Sequence, residues 1–201
     1  MGYLNKLILT VLCLSVSVLA SALASVDQAA PKFSATDSNG AKISLDQFAG
    51  KTVILEWTNH ECPFVKKHYK SGNMQALQKK YTAEGVVWLS VISSAKGKQG
   101  HLSGEKANSV SVSSGGHASH ILLDESGELG KLYGAKTTPH MYIIDGKGML
   151  RYMGAIDSIR STDADDIPES TNYVTQAMSE LAAGKSVSEQ VTAAYGCSVK
   201  Y

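Results

Sequence analysis

Two uninterrupted apolar runs stand out along the chain, Val53-Ile-Leu55 and Val86-Val-Trp-Leu-Ser-Val-Ile92. Runs of this length between turn residues predict buried strands, Val53 to Trp57 and Val86 to Ile92. Between them the pattern changes to a helical period. A helix enters at Cys62-Pro63, breaks near Ser71-Gly72 and restarts at Asn73 as an N-cap. Met74, Leu77 and Tyr81 then share one face, and Gly85 ends it. Upstream, Lys32–Thr36 and Ala41–Leu45 predict short strands around the turn Asp37-Ser-Asn-Gly40. A single turn, Asp46–Ala49, comes next. Ser25–Pro31 reads as a mobile, Ala-rich lead-in.

Downstream of the second run, Ser93–Gly104 is polar and reads as a loop, and Glu105–Val112 as a short helix. Ile121–Leu123 predicts a strand, and a helix runs from Glu125-Ser126-Gly127 to Tyr133. Thr137-Thr-Pro139 leads into the strand His140–Asp145, and Asp145-Gly-Lys-Gly148 turns it back through Met149–Gly154. Asp163–Pro168 is a solvated acidic loop. Ser170–Ala183 is an amphipathic helix stopped by Gly184. A polar, weakly helical tail ends the chain. Strand–helix–strand crossovers require parallel strands and a closing hairpin adds antiparallel ones. The expected class is α/β, a mixed central sheet with helices on both faces and an N-terminal β-hairpin.

The first residues read differently. Lys6, the apolar run Leu7–Leu19 and Ala22-Leu-Ala24 have the form of a signal peptide cleaved after Ala24. Residues 25–185 then form one domain, and 186–201 a tail carrying Cys197. The formal net charge is +1 and the leader holds one lysine, so no basic block offers itself to nucleic acid. The run is short for a membrane span, and no stable insertion is expected after cleavage. Export places the chain in an oxidising compartment with two cysteines, Cys62 and Cys197. That suffices for a redox pair and is too few for a disulfide scaffold.

Cys62 is the candidate nucleophile. At a helix N-terminus, free N–H groups and the dipole favour the thiolate. Glu61 opposes this charge, and a protonated His60 would support it. His60-x-Cys62 with a further histidine could hold copper or zinc, but no spacing matches a structural zinc site, so neither metal nor cofactor is assigned.

The order of elements, the Cys opening the first core helix and the Thr-Pro before a later strand resemble the thioredoxin fold. Gly50-Lys-Thr-Val-Ile-Leu-Glu-Trp57, Cys62-Pro63, Tyr133-Gly-Ala-Lys-Thr-Thr-Pro139 and Gly196-Cys-Ser198 resemble the redoxin group, the alkyl hydroperoxide reductase/thiol-specific antioxidant family, in a peroxiredoxin-like branch. The resemblance implies a cis Pro139 facing Cys62, with Thr138 offering its backbone to an extended substrate. Two departures matter. Val65 stands where thioredoxins carry a second cysteine. Thr58 lies four residues before Cys62, one off the peroxiredoxin spacing, and Asn59 occupies the expected position.

These features imply an exported, periplasmic thiol-dependent oxidoreductase. Cys62 would attack a small-molecule peroxide or a disulfide, Cys197 would resolve the product, and an unidentified thiol would reduce the pair. Arg151, on the hairpin's return strand, is the candidate to polarise a peroxide. Exchange without peroxidase activity, a metal- or partner-binding module, and a permanent Cys62–Cys197 disulfide are the alternatives.

Overall fold

The computed structural model describes residues 23–201, so nearly all of the expected leader lies outside the described residues. The strands are β1 (Ser34–Asp37), β2 (Lys42–Ser44), β3 (Val53–Trp57), β4 (Val87–Ile92), β5 (His120–Leu123), β6 (Thr137–Thr138), β7 (His140–Ile144), β8 (Leu150–Gly154) and β9 (Cys197–Ser198). The helices are α1 (Pro63–Lys70), α2 (Asn73–Ala83), α3 (Gly104–Ser113), α4 (Glu128–Tyr133) and α5 (Tyr173–Ala182).

Seven strands form one mixed sheet in the order β2-β1-β5-β4-β3-β7-β8. The apolar runs form its centre, β3 and β4, which lie parallel and are buried along their whole length. β5 continues the parallel set, and the β1–β2 hairpin extends it antiparallel. On the other side β7 runs antiparallel to β3 and turns back as β8. One face packs Leu55, Trp57, Leu89 and Leu122 against Leu129 and Tyr133 of α4. The opposite face packs Ile54, Trp88 and Ile143 against Met74, Leu77 and Tyr81 of α2 and Val174 and Ala177 of α5. This is a thioredoxin-like fold.

Three local expectations need correction. Ser25–Pro31 is not loose. Asp27 N–H donates to Leu150 O at 2.7 Å, Leu150 N–H to Gln28 O at 2.9 Å and Ala30 N–H to Gly148 O at 2.8 Å, which hems the segment along β8. The cap of α2 is Gly72, in the left-handed region at φ 79°, while Asn73 is the first helical residue. The bend between α1 and α2 demands that positive φ, and glycine supplies it at least cost. The tail is not helical. It is extended, and β9 pairs with β6 as a separate two-stranded ladder.

The register of β3 with β7 brings two distant segments of the chain together. Trp57 pairs with His140, so the loop leaving the end of β3 lies beside Thr138-Pro139 at the start of β7.

Candidate active site

After Trp57 the chain turns on Asn59. Its Oδ1 accepts the Glu61 N–H at 2.9 Å, its carbonyl accepts the Cys62 N–H at 3.0 Å, and its side chain is buried. An Asx turn of this kind fixes a loop in place. Pro63 then opens α1 and Cys62 takes the N-cap position. The Thr138–Pro139 peptide is cis. The Cys62 thiol donates to Thr138 O at 3.1 Å and is wholly buried.

Cys197 comes from the far end of the described chain. β9 runs antiparallel to β6 with Cys197 opposite Thr138, which brings its side chain beside that of Cys62. Gly196 makes this approach possible. A Cβ there would lie 2.0 Å from Thr138 O, and its φ is 138°. Both cysteines are reduced, Cys62 buried and Cys197 half-buried.

The two thiols are electrically unequal. Burial alone would raise Cys62, but hydrogen bonds from the Cys197 thiol and the Thr138 side chain, then from the Val65 and Cys197 N–H groups, hold it below the ordinary thiol range. Beside the neutral thiol the buried Thr138 hydroxyl has no hydrogen-bond partner, which leaves it free to donate to the anion. Cys62 therefore caps α1 by position, without a well-formed cap hydrogen bond as a thiol, and gains donors as the anion. Cys197 is pushed up to about 11, by burial first and then by its hydrogen bond to Cys62 and the Cys62 charge.

The strap that carries Cys197 is held at several points. The Tyr195 ring packs edge-on to Phe64 of α1 at 5.7 Å, and its hydroxyl donates to the buried Asp157 carboxylate. Asp157 also pairs with Lys67 of α1, at 3.4 Å, with both side chains buried. Beyond Cys197, Val199 N–H donates to Lys136 O at 3.0 Å and Ala95 N–H to Lys200 O at 2.8 Å. The Tyr201 hydroxyl donates to Ala135 O at 2.7 Å.

Other expected residues are placed elsewhere. Thr58 and His60 line a cleft of about 470 Å³ between α1 and α3, together with Val65, Lys66, Ile92 and Val110. Neither sulfur is among the lining residues. His60 is lowered by burial, against the opposing pull of Glu61, and its Nδ1 has no partner. It is therefore a poorer source of positive charge for the thiolate than a free imidazole. Glu61 turns away and accepts the Gly100 N–H at 2.9 Å. Arg151 is not at the site. Its guanidinium binds Asp145 and Asp27, each at 2.7 Å, near the β7–β8 turn. Ile144 pairs with both Val53 and Leu150, so Arg151 sits by the start of β3, whereas Cys62 lies beyond its end. His68 and His140 are each pushed down to about 4, by burial first, and stay neutral at physiological pH.

One acidic residue near the site escaped the sequence reading. Glu56 is wholly buried beneath α1 and α2. It accepts from Trp88 Nε1 at 2.8 Å, Gln78 Nε2 at 2.9 Å, Tyr69 OH at 2.9 Å and Ser90 Oγ at 3.1 Å. Burial raises its carboxyl despite these donors. The available signal was a carboxylate inside a five-residue apolar strand, a position where an unpaired charge is rare.

A thioredoxin-like sheet, a helix capped by a buried cysteine and a second cysteine beside it define a thioredoxin-like redoxin. The chain belongs to the AhpC/TSA family, whose model matches residues 26–153. None of the curated proteins compared with it matches. Among solved structures it is similar to an uncharacterized conserved protein from Geobacillus kaustophilus, at 25% identity and a TM-score of 0.75, covering 91% of this chain and 94% of that one. A hypothetical protein from Sinorhizobium meliloti 1021 superposes with a TM-score of 0.73 at 21% identity, over 88% and 94% of the two chains. The thioredoxin domain of a thiol-disulfide oxidoreductase from Bacteroides vulgatus shares the fold, with a TM-score of 0.52 and 17% identity over 72% and 96%.

Proposed function

We propose that the protein is an exported thiol-dependent oxidoreductase that reduces small oxidants, peroxides first, with Cys62 as nucleophile and Cys197 as resolving thiol. The observation that carries this reading is the pairing of a lowered Cys62 with a raised Cys197 in adjacent positions. The anion is the nucleophile and the neutral thiol keeps a proton to give. The Cys62 thiolate attacks one peroxide oxygen, the O–O bond breaks, and the departing alkoxide or hydroxide takes a proton. Cys62 becomes a sulfenic acid. The Cys197 sulfur then attacks the Cys62 sulfur, a disulfide forms, and water leaves with the Cys197 proton.

Recovery needs an external thiol. Cys197 is the more exposed sulfur and Cys62 the better leaving group, so the reductant attacks Cys197 and releases the Cys62 thiolate. A dithiol reductant completes the cycle by displacing Cys197 with its second sulfur. Export rests on the apolar leader, Leu7–Leu19. Among the described residues no helix is long and apolar enough to cross a membrane.

The test is one equivalent of hydrogen peroxide added to reduced protein. Trp57, at the end of β3, reports the reaction by fluorescence, and a non-reducing peptide map identifies the product. The expected product is a Cys62–Cys197 linkage in the wild type, an oxygen adduct on Cys62 in Cys197→Ser, and no reaction in Cys62→Ser. Wild-type protein left unoxidised would sink the peroxidase reading. The displacement of Arg151 from the site favours a second reading, thiol–disulfide exchange alone. A mixed disulfide with oxidised glutathione, without any response to peroxide, would select it.

A further inference from the structure

Cys197 shows how a cysteine on a polypeptide reaches Cys62. Its backbone lies antiparallel to Thr137-Thr138, opposite Thr138, and its side chain drops onto the Cys62 sulfur. β6 lies outside the main sheet, and its ladder partner is β9. An extended chain from another protein would present a cysteine to Cys62 by adding to that same edge, the usual way a peptide strand docks on an open strand. The place is taken. Gly196 presses against Thr138 O, where even a Cβ does not fit. Tyr195, Val199 and Lys200 hold the strand from both sides.

We propose that the strap from Tyr195 to Lys200 is a specificity element. It occupies the edge on which an extended polypeptide would dock, so it closes Cys62 to polypeptide disulfides and selects for oxidants of small-molecule size. This rests on Cys62 being the nucleophile of the proposed function, and it adds the element that restricts the substrate to small molecules. A peroxide or a small disulfide needs only a path to one sulfur. A polypeptide needs the whole of the ladder that β9 fills. The buried Asp157, which binds Tyr195 on the strap and Lys67 on the nucleophile's helix, ties the closed position to α1.

The test compares two thionitrobenzoate mixed disulfides, one of free cysteine and one of a short unstructured peptide with a single cysteine. In each, the Cys62 thiolate attacks the carrier's sulfur, the new disulfide forms on Cys62, and the coloured thionitrobenzoate anion leaves. The full chain carrying Cys197→Ser is the reference, which keeps the strap and removes its thiol. Peptide mapping confirms attachment at Cys62. Adding Gly196→Val drives the strand off β6, and adding Tyr195→Ala in a separate protein frees its anchor. Each is expected to raise the peptide rate relative to the free-cysteine rate by about tenfold, equivalent to about 1.4 kcal/mol of strap closure. Should one variant fail to fold, the other carries the test. An unchanged ratio in the folded variants overturns the proposal while leaving Cys62 as nucleophile. So does a reference protein that takes the peptide as fast as it takes free cysteine. A Cys62 that reacts with neither reagent in any variant overturns the nucleophile reading as well.

Discussion

Glu56 carries a consequence that reaches beyond its four donors. Its carboxyl is raised by burial above the ordinary value of 4.5, so the folded protein holds that proton more tightly than the unfolded chain does. Between the two pKa values the folded state binds more protons, and stability falls as pH rises. The contribution is present below about pH 4.5 and is lost as pH climbs through the folded value. Glu56→Gln removes the titration. Urea midpoints of the two proteins across a pH series are therefore expected to diverge, the wild type losing stability relative to the variant as pH rises from 4.5. A constant difference would mean that Glu56 ionises in the fold as it does in water. The same residue shows why single positions were hard to read in advance. Its partners Gln78, Trp88 and Ser90 lie 22, 32 and 34 residues away. The place of Cys62 at the start of α1 was legible because its signals are local, a proline at the next position and a helical period after it.

At the scale of elements, α5 offers a clean measurement. The Asn172 side chain accepts the Thr175 N–H at 2.9 Å and satisfies one of the free donors of the helix start. Asn172→Ala is expected to cost about 1 kcal/mol, read as a lower urea midpoint at unchanged slope. The central strands, the helices and the closing hairpin were all readable from apolar runs, periodicity and glycines, because each is longer than its own end effects. β9 was not. It has two residues and no period, and its partners in β6 lie about sixty residues upstream in the chain. Arg151 lies on the return strand that the sequence predicts, but at the opposite end of the sheet from the cysteine it was expected to serve. That depends on the pairing of Val53 with Ile144 and of Ile144 with Leu150, which no short window of sequence contains.

For the molecule as a whole, oxidation should tighten the fold. Cys62 and Cys197 already lie together in the reduced protein, and a bond between them closes a loop through most of the sheet. Restricting the unfolded chain in this way is worth about 5 kcal/mol for a loop beyond a hundred residues. Urea unfolding of peroxide-treated protein is expected at a clearly higher midpoint than unfolding under a phosphine reductant. Equal midpoints would mean that the linkage strains the native geometry by as much as it restricts the unfolded chain. The separation of the two cysteines also sets an order of events during synthesis. The chain is made from its N-terminal end. The segment that forms β3, α1 and α2 is therefore made before the one that forms β9. A growing chain therefore carries Cys62 without its built-in companion, and any free thiol or disulfide met in that interval competes for a position that the finished protein reserves for itself.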